Sequence, residues 1–188
     1  MKSYSEEDQK QILEEFIRIR KIFKENLKME PVGATLNMLQ YIDSKVANKF
    51  LQDTISCKKG CSFCCHNPID STELEAKVIA QYCQENHITI NRKHLAQQLA
   101  LSVQEVPYSR FSACVFLKNN LCTIYPVRPA NCRKYFVSSD PSLCNTRKYG
   151  SQRVTIVANT ESEICNTVLI ETQGKWDRLP RLLLPYSQ

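Results

Sequence analysis

The side chains with the most obvious chemistry in this sequence are ten cysteines. Four of them fall within nine positions, Cys57-Lys58-Lys59-Gly60-Cys61-Ser62-Phe63-Cys64-Cys65, and Cys114, Cys122, Cys132 and Cys144 follow. Thiolates are soft ligands that hold zinc and iron–sulfur clusters, and several must converge because one alone binds weakly. Ligands close in sequence converge at a small entropic cost. Lys58 and Lys59 offset thiolate charge, and Gly60 lets the backbone turn sharply between the first two ligands. The chemistry expected here is metal binding.

Adjacent side chains diverge along a chain, so Cys64 and Cys65 are not expected to share one tetrahedral ion. They imply two metals, or one ligand beside a thiol with another task. Cys83 and Cys165 sit in apolar periodic stretches and read as core residues. The other eight thiols suffice for two four-thiolate sites, with no assignment of individual thiols to either. His66 reads as a neighbour of the cluster rather than a ligand, and His87 and His94 as ordinary polar residues. Zinc modules usually bring paired Cys-x-x-Cys knuckles, and only Cys61/Cys64 forms one. The crowded spacing is closer to an iron–sulfur run, so the cofactor expected is an iron–sulfur cluster or Zn2+.

Composition narrows the setting. Ten cysteines and an N-terminus without an apolar stretch point to a reducing, cytoplasmic location, where thiols bind metal instead of pairing. The formal charge is +6 with every thiol neutral. Eight thiolates around two divalent ions would remove four charges and leave about +2, so the basic excess does not call for a nucleic-acid partner. No apolar run approaches a membrane span. The four glycines, Gly33, Gly60, Gly150 and Gly174, are dispersed, which excludes a phosphate-cradling loop.

The elements that must position the thiols are mostly helical. Ser5 and Asp8 form a capping box that starts a helix over 5–29, with Ile12, Leu13, Phe16, Ile17, Ile19, Ile22, Phe23 and Leu27 on a broad apolar face and Pro31 and Gly33 as its stop. A second helix over 34–54 carries Leu36, Leu39, Ile42, Val46 and Phe50. A third, capped by Asp70 and Glu73, runs to Asn86; a fourth runs from Asn91 to Val106 and stops at Pro107. Cys114-Val-Phe-Leu and Leu121-Cys-Thr-Ile-Tyr flank an asparagine turn and predict a β-hairpin. Arg128-Pro129 opens a short helix with Cys132 and Arg133, and Ser138 to Pro141 is a turn. The pattern over 153–171 fits strand or helix, and the tail from Trp176 packs back on the domain. The expected fold is mainly α-helical with a small β-hairpin. An N-terminal helical hairpin (1–54) precedes a cysteine-cluster domain (55–188).

Two resemblances follow from the motifs. Cys57-x3-Cys61-x-Phe63-Cys64 is similar to the radical S-adenosylmethionine signature, but the chain lacks the βα alternation and length that family's barrel needs. The order Cys57-x3-Cys61-x2-Cys64-Cys65, then Cys114-x7-Cys122-x-Ile124-Tyr125-x2-Arg128-Pro129-x2-Cys132-Arg133, then Cys144-x2-Arg147, resembles the YkgJ-type cysteine-cluster family over about residues 57–147. That resemblance implies a zinc- or iron-chelating domain with Cys57, Cys61, Cys64, Cys65, Cys114, Cys122, Cys132 and Cys144 as ligands. The larger flagellin lysine-N-methylases carry a similar cluster, which implies a second reading as a group-transfer enzyme with a protein substrate. A third is a partner-binding module with a purely structural metal. Arg128 and Arg133 read as structural arginines that lock the knot; Tyr125, Tyr135 and Phe136 read as packing around the metal. No general acid–base pair is evident, the carboxylates falling mostly on solvent-facing helix sides.

Overall fold

A computed structural model describes residues 5–47, 49–100, 113–144 and 154–188, with the backbone alone for 49 and 50. Helix α1 (Glu6–Met29) starts as expected: the Ser5 hydroxyl accepts from the Asp8 amide, and the Asp8 carboxylate accepts from the Ser5 amide. It ends at Met29, as expected, but the next helix starts earlier than the expected residue 34, and Leu13, Ile17 and Ile22 of the expected apolar face are exposed. Pro31 is the first residue of α2 (Pro31–Val46), where its missing amide costs nothing, and Gly33 lies inside that helix. Helix α2 stops at Val46 with Ala47 as its C-cap, and a separate α3 (Lys49–Thr54) follows, so the 34–54 stretch is two helices. The Phe50 side chain lies outside the described residues.

Helix α4 (Glu73–Glu85) is capped by Thr72, not by Asp70 and Glu73: the Thr72 hydroxyl accepts from the Glu75 amide, and the Glu75 carboxylate accepts from the Thr72 amide. Asn91 accepts from the His94 amide at 2.8 Å and so caps α5 (Arg92–Ala100); the expected end at Val106 and Pro107 lies outside the described residues. The predicted hairpin forms from β2 (Leu117–Lys118) and β3 (Leu121–Cys122), paired Leu117 to Cys122. Asn119 and Asn120 carry φ of 52° and 59°, the left-handed pair a tight hairpin turn needs. Helix α6 (Ala130–Lys134) follows Pro129.

The stretch that fitted strand or helix is both. β5 (Ile156–Val157) pairs with β4 (Phe136–Val137), and α7 (Thr160–Gln173) follows, capped by Asn159 at its start and by Gly174 (φ 64°) at its end. The tail supplies β6 (Trp176–Arg178), antiparallel to β1 (Asp70–Thr72), and α8 (Leu179–Leu183). The fold is mainly helical, with two small strand pairs beyond the hairpin expected.

One apolar cluster joins these pieces. It holds Ile19 and Phe23 of α1, Leu39 and Ile42 of α2, Ile79 of α4, Val168 and Leu169 of α7 and Leu183 of α8. Helix α1 packs on α7 and α2, while α2 also packs on α4, α6 and α7. A forked pair from Arg20 to Glu171, at 2.7–3.0 Å, ties α1 to α7 at the surface. Among the described residues, no helix is long and apolar enough to cross a membrane.

Candidate metal centre

The first loop of the site hangs from β4. The Ser56 amide donates to the Val137 carbonyl at 2.8 Å and the Ser56 hydroxyl to the Ser138 carbonyl at 2.9 Å, which fixes the chain just before Cys57. The Cys61 amide closes back on the Lys58 carbonyl, and Gly60 takes φ 90°, a conformation costly for any residue with a Cβ. Cys64 and Cys65 then sit in a 3-10 turn, Phe63–His66, against a second such turn, Pro141–Cys144, that delivers Cys144. On the other side the Cys114 amide donates to the Cys65 carbonyl at 2.8 Å. The Ser62 hydroxyl donates to Oδ1 of Asn120 at the hairpin tip, at 3.1 Å. These bonds draw three distant stretches onto one turn.

The thiols form two groups that meet at Cys64. Cys144 stands within electrostatic reach of Cys64, Cys57 and Cys61. Cys132 stands within reach of Cys114, Cys64 and Cys122. The Cys64 and Cys65 side chains share a hydrogen bond. All eight predicted site cysteines therefore have a thiol neighbour. Cys83 and Cys165, 2% and 0% exposed, have none among the influences felt at their sulfurs, and all ten cysteines are free.

Burial is the first cause that raises the thiols of Cys61, Cys114, Cys122, Cys132 and Cys144 above their ordinary range, Cys114 to about 12 and Cys144 to about 11. Cys64 is raised by its bond to Cys65 and then by burial. Main-chain amides act in the opposite sense. The amides of Phe63, Phe116 and Ile124 donate to the sulfurs of Cys61, Cys114 and Cys122, each from two residues further along the chain. Such donors stabilise thiolate and tune a metal bound to it.

Whether this donor set fits a metal turns on chemistry and closure. The chemistry fits: grouped thiols with amides aimed at their sulfurs are what zinc and iron–sulfur centres use. Among the described residues the side chains are gathered but not closed, since no three His, Cys, Asp or Glu side chains stand where they could hold one ion as placed. His66 turns Nδ1 to the Ser62 carbonyl at 3.2 Å, and His94 turns Nε2 to the Ala113 carbonyl at 2.7 Å.

Behind the second thiol group lies an arginine lock. Arg133, 0% exposed, donates from Nε to the Arg128 carbonyl and from Nη2 to the Pro126 carbonyl, both at 2.7 Å. Arg128 donates to the Tyr125 carbonyl at 2.9 Å and stacks on the Tyr125 ring, 3.9 Å from its centroid. Both guanidiniums reach the carboxylate of Asp43 on α2: Arg128 at 2.9 Å, and Arg133 through Nη1 to the second oxygen. Both charges bear on the Cys122 sulfur and that of Arg128 on Cys132, favouring thiolate. The arginines are structural in the sense expected, whereas Tyr125 is 58% exposed and does not pack around the thiols.

Two carboxylates were missed. Asp43 lies four residues after Leu39 and three before Val46, both buried, so a charge on the apolar side of α2 was the signal for it. Glu75, 3% exposed, takes three hydrogen bonds at Oε2 from Ser71 and Thr72, and at Oε1 accepts from the Ala130 amide at 2.8 Å. It thereby joins the start of α4 to the start of the Cys132 helix. Its signal was Thr72-x-x-Glu75, a capping-box spacing.

A family model described as "CxxCxxCC: Putative zinc- or iron-chelating domain" matches residues 56–166. No curated protein and no solved structure matches the chain.

Proposed function

We propose, for a chain that belongs to the CxxCxxCC family of zinc- or iron-chelating domains, that the eight grouped cysteines are its metal ligands. Cys57, Cys61 and Cys144 form one arm, Cys114, Cys122 and Cys132 the other, and Cys64 and Cys65 stand between them. The observation that carries the reading is the separation of thiols into those with thiol neighbours and the two without. A bound zinc would order this half of the chain; a bound iron–sulfur cluster would add electron transfer. A reducing compartment such as the cytoplasm suits either.

The test is metal and acid-labile sulfide content, with a visible spectrum, on protein purified without oxygen. Stoichiometric zinc in colourless protein, or iron with sulfide in brown protein, supports the reading and chooses the metal. Protein with neither metal overturns it.

A partner-binding module with a structural metal is the second reading. It is favoured by Leu13 and Ile17, one turn apart on α1 and 58% and 56% exposed. Substituting both with Ser should leave metal content unchanged and abolish association with the partner; unchanged association removes this reading.

A further inference from the structure

We propose that Asp43 is a positioning residue of the metal centre, supplied by the N-terminal helical hairpin from outside the segment that carries the family match. The inference rests on the metal-binding reading above. Residues 125–133 contain only short elements, a 3-10 turn Tyr125–Val127 and the five-residue α6, too short to hold a thiol in place by themselves. Val127 and Ala130 reach the apolar cluster, and the Ala130 amide donates to Glu75. The pair of guanidiniums adds the tie on the loop itself, together taking the carbonyls of Tyr125, Pro126 and Arg128. Cys132 is carried between them, and Cys122 lies just before them in the chain.

The guanidiniums need an anchor of their own. Arg133 is fully buried and Arg128 nearly so, and a buried guanidinium is held only where a carboxylate answers it. Asp43 is the acidic side chain paired with each of them, one oxygen to each. Helix α2, which bears it, is fixed by Leu39 and Ile42 in the apolar cluster. The path therefore runs from a packed helix to a carboxylate, to two arginines, to three carbonyls of the loop that presents the thiols. Without Asp43 the arginines lose their common reference point, and their charges are free to move onto the thiolates.

The full chain, loaded with Zn2+ alone, is mixed with excess chromogenic chelator at a temperature well below unfolding, and zinc release is timed. Asp43→Asn is expected to release zinc at least about tenfold faster than wild type, the scale on which partners of metal ligands act. Glu171→Gln serves as the comparison, because it breaks the Arg20 pair that ties α1 to α7 and leaves the arginine lock intact. It is expected to release zinc at the wild-type rate. Equal rates for Asp43→Asn and wild type overturn the proposal. So does equal acceleration by Glu171→Gln, which would reflect loosening of the hairpin in general. If circular dichroism shows Asp43→Asn unfolded, Asp43→Glu decides: it keeps the charge but displaces both guanidiniums by a methylene. Release at least threefold faster supports the proposal and the wild-type rate overturns it. Wild-type protein that takes up no zinc and contains no iron overturns the metal reading itself, and this inference with it.

Discussion

Burial holds the thiol of Cys83 up at about 11 and that of Cys165 at about 12, against an ordinary value of 9.0. Both stay protonated in the fold while an unfolded thiol ionises near 9, so their contribution is complete below about pH 9 and is lost as pH rises toward 11 to 12. Wild-type protein should therefore lose more of its urea midpoint between pH 7 and 10.5 than a Cys83→Ala/Cys165→Ala variant; equal losses would place the alkaline sensitivity elsewhere. Cys64, which meets both thiol groups, should behave differently from either. Cys64→Ser is expected to cut bound metal by at least about half, and Cys83→Ala to leave it unchanged, by elemental analysis of the purified variants. Apolar periodicity alone separated Cys83 and Cys165 from the rest, because a thiol in a helical apolar stripe has core neighbours. The same periodicity marks Asp43 as a charge on the apolar side of α2 but says nothing of its partners. Its partners lie 85 and 90 residues further on, and only the docking of α2 on α6 brings them together.

Elements that depend on neighbours in sequence were readable, and those that depend on distant pairing were not. The Ser5 box, the asparagine turn and the short helix after Arg128-Pro129 are local devices, and each forms. Strands β1 and β6 are three residues each and pair Asp70 with Arg178 and Thr72 with Trp176, far apart in the chain, so no local pattern announces them. The same holds for β4 and β5, two residues apiece. Pro31 follows the end of α1, as expected, but its fixed φ also suits the first turn of a new helix, so α2 starts at Pro31 and not at residue 34. Glu75 is the element-scale residue with the sharpest consequence. Both its oxygens accept, from Ser71 and Thr72 on one side and Ala130 on the other, so an amide in its place must point an N–H at a donor. Glu75→Gln should destabilise the protein by about 1–3 kcal/mol, the cost of a buried donor left unpaired. An unchanged melting temperature would mean that the join between α4 and α6 carries no stability.

At the scale of the molecule, two kinds of support coexist. Helices α1, α2, α4 and α7 rest mainly on a shared apolar cluster, whereas residues 113–144 contribute only Phe116, Ile124, Val127 and Ala130 to its buried core and add short strands, short helices, an arginine lock and grouped thiols. Removing the metal should leave amide protection of the four helices close to its starting level and lower it over 113–144; hydrogen exchange with mass spectrometry reads both. Uniform loss across the chain would mean that metal and helical core unfold as one. The pairing of α1 with α7, marked by Arg20 and Glu171 at a separation of 151 residues, also sets a schedule for synthesis. The N-terminal helices leave the ribosome first, yet α7 must be made before they can bury their apolar face fully. Translation proceeds at about 5–20 residues per second, so the Cys57–Cys65 loop waits on the order of ten seconds for the rest of its fold. During that interval its thiols are open to oxidants and to any soft metal ion in the cell. Under the metal-binding reading, the ion that the finished protein holds would depend on supply at the ribosome as well as on affinity at the completed site.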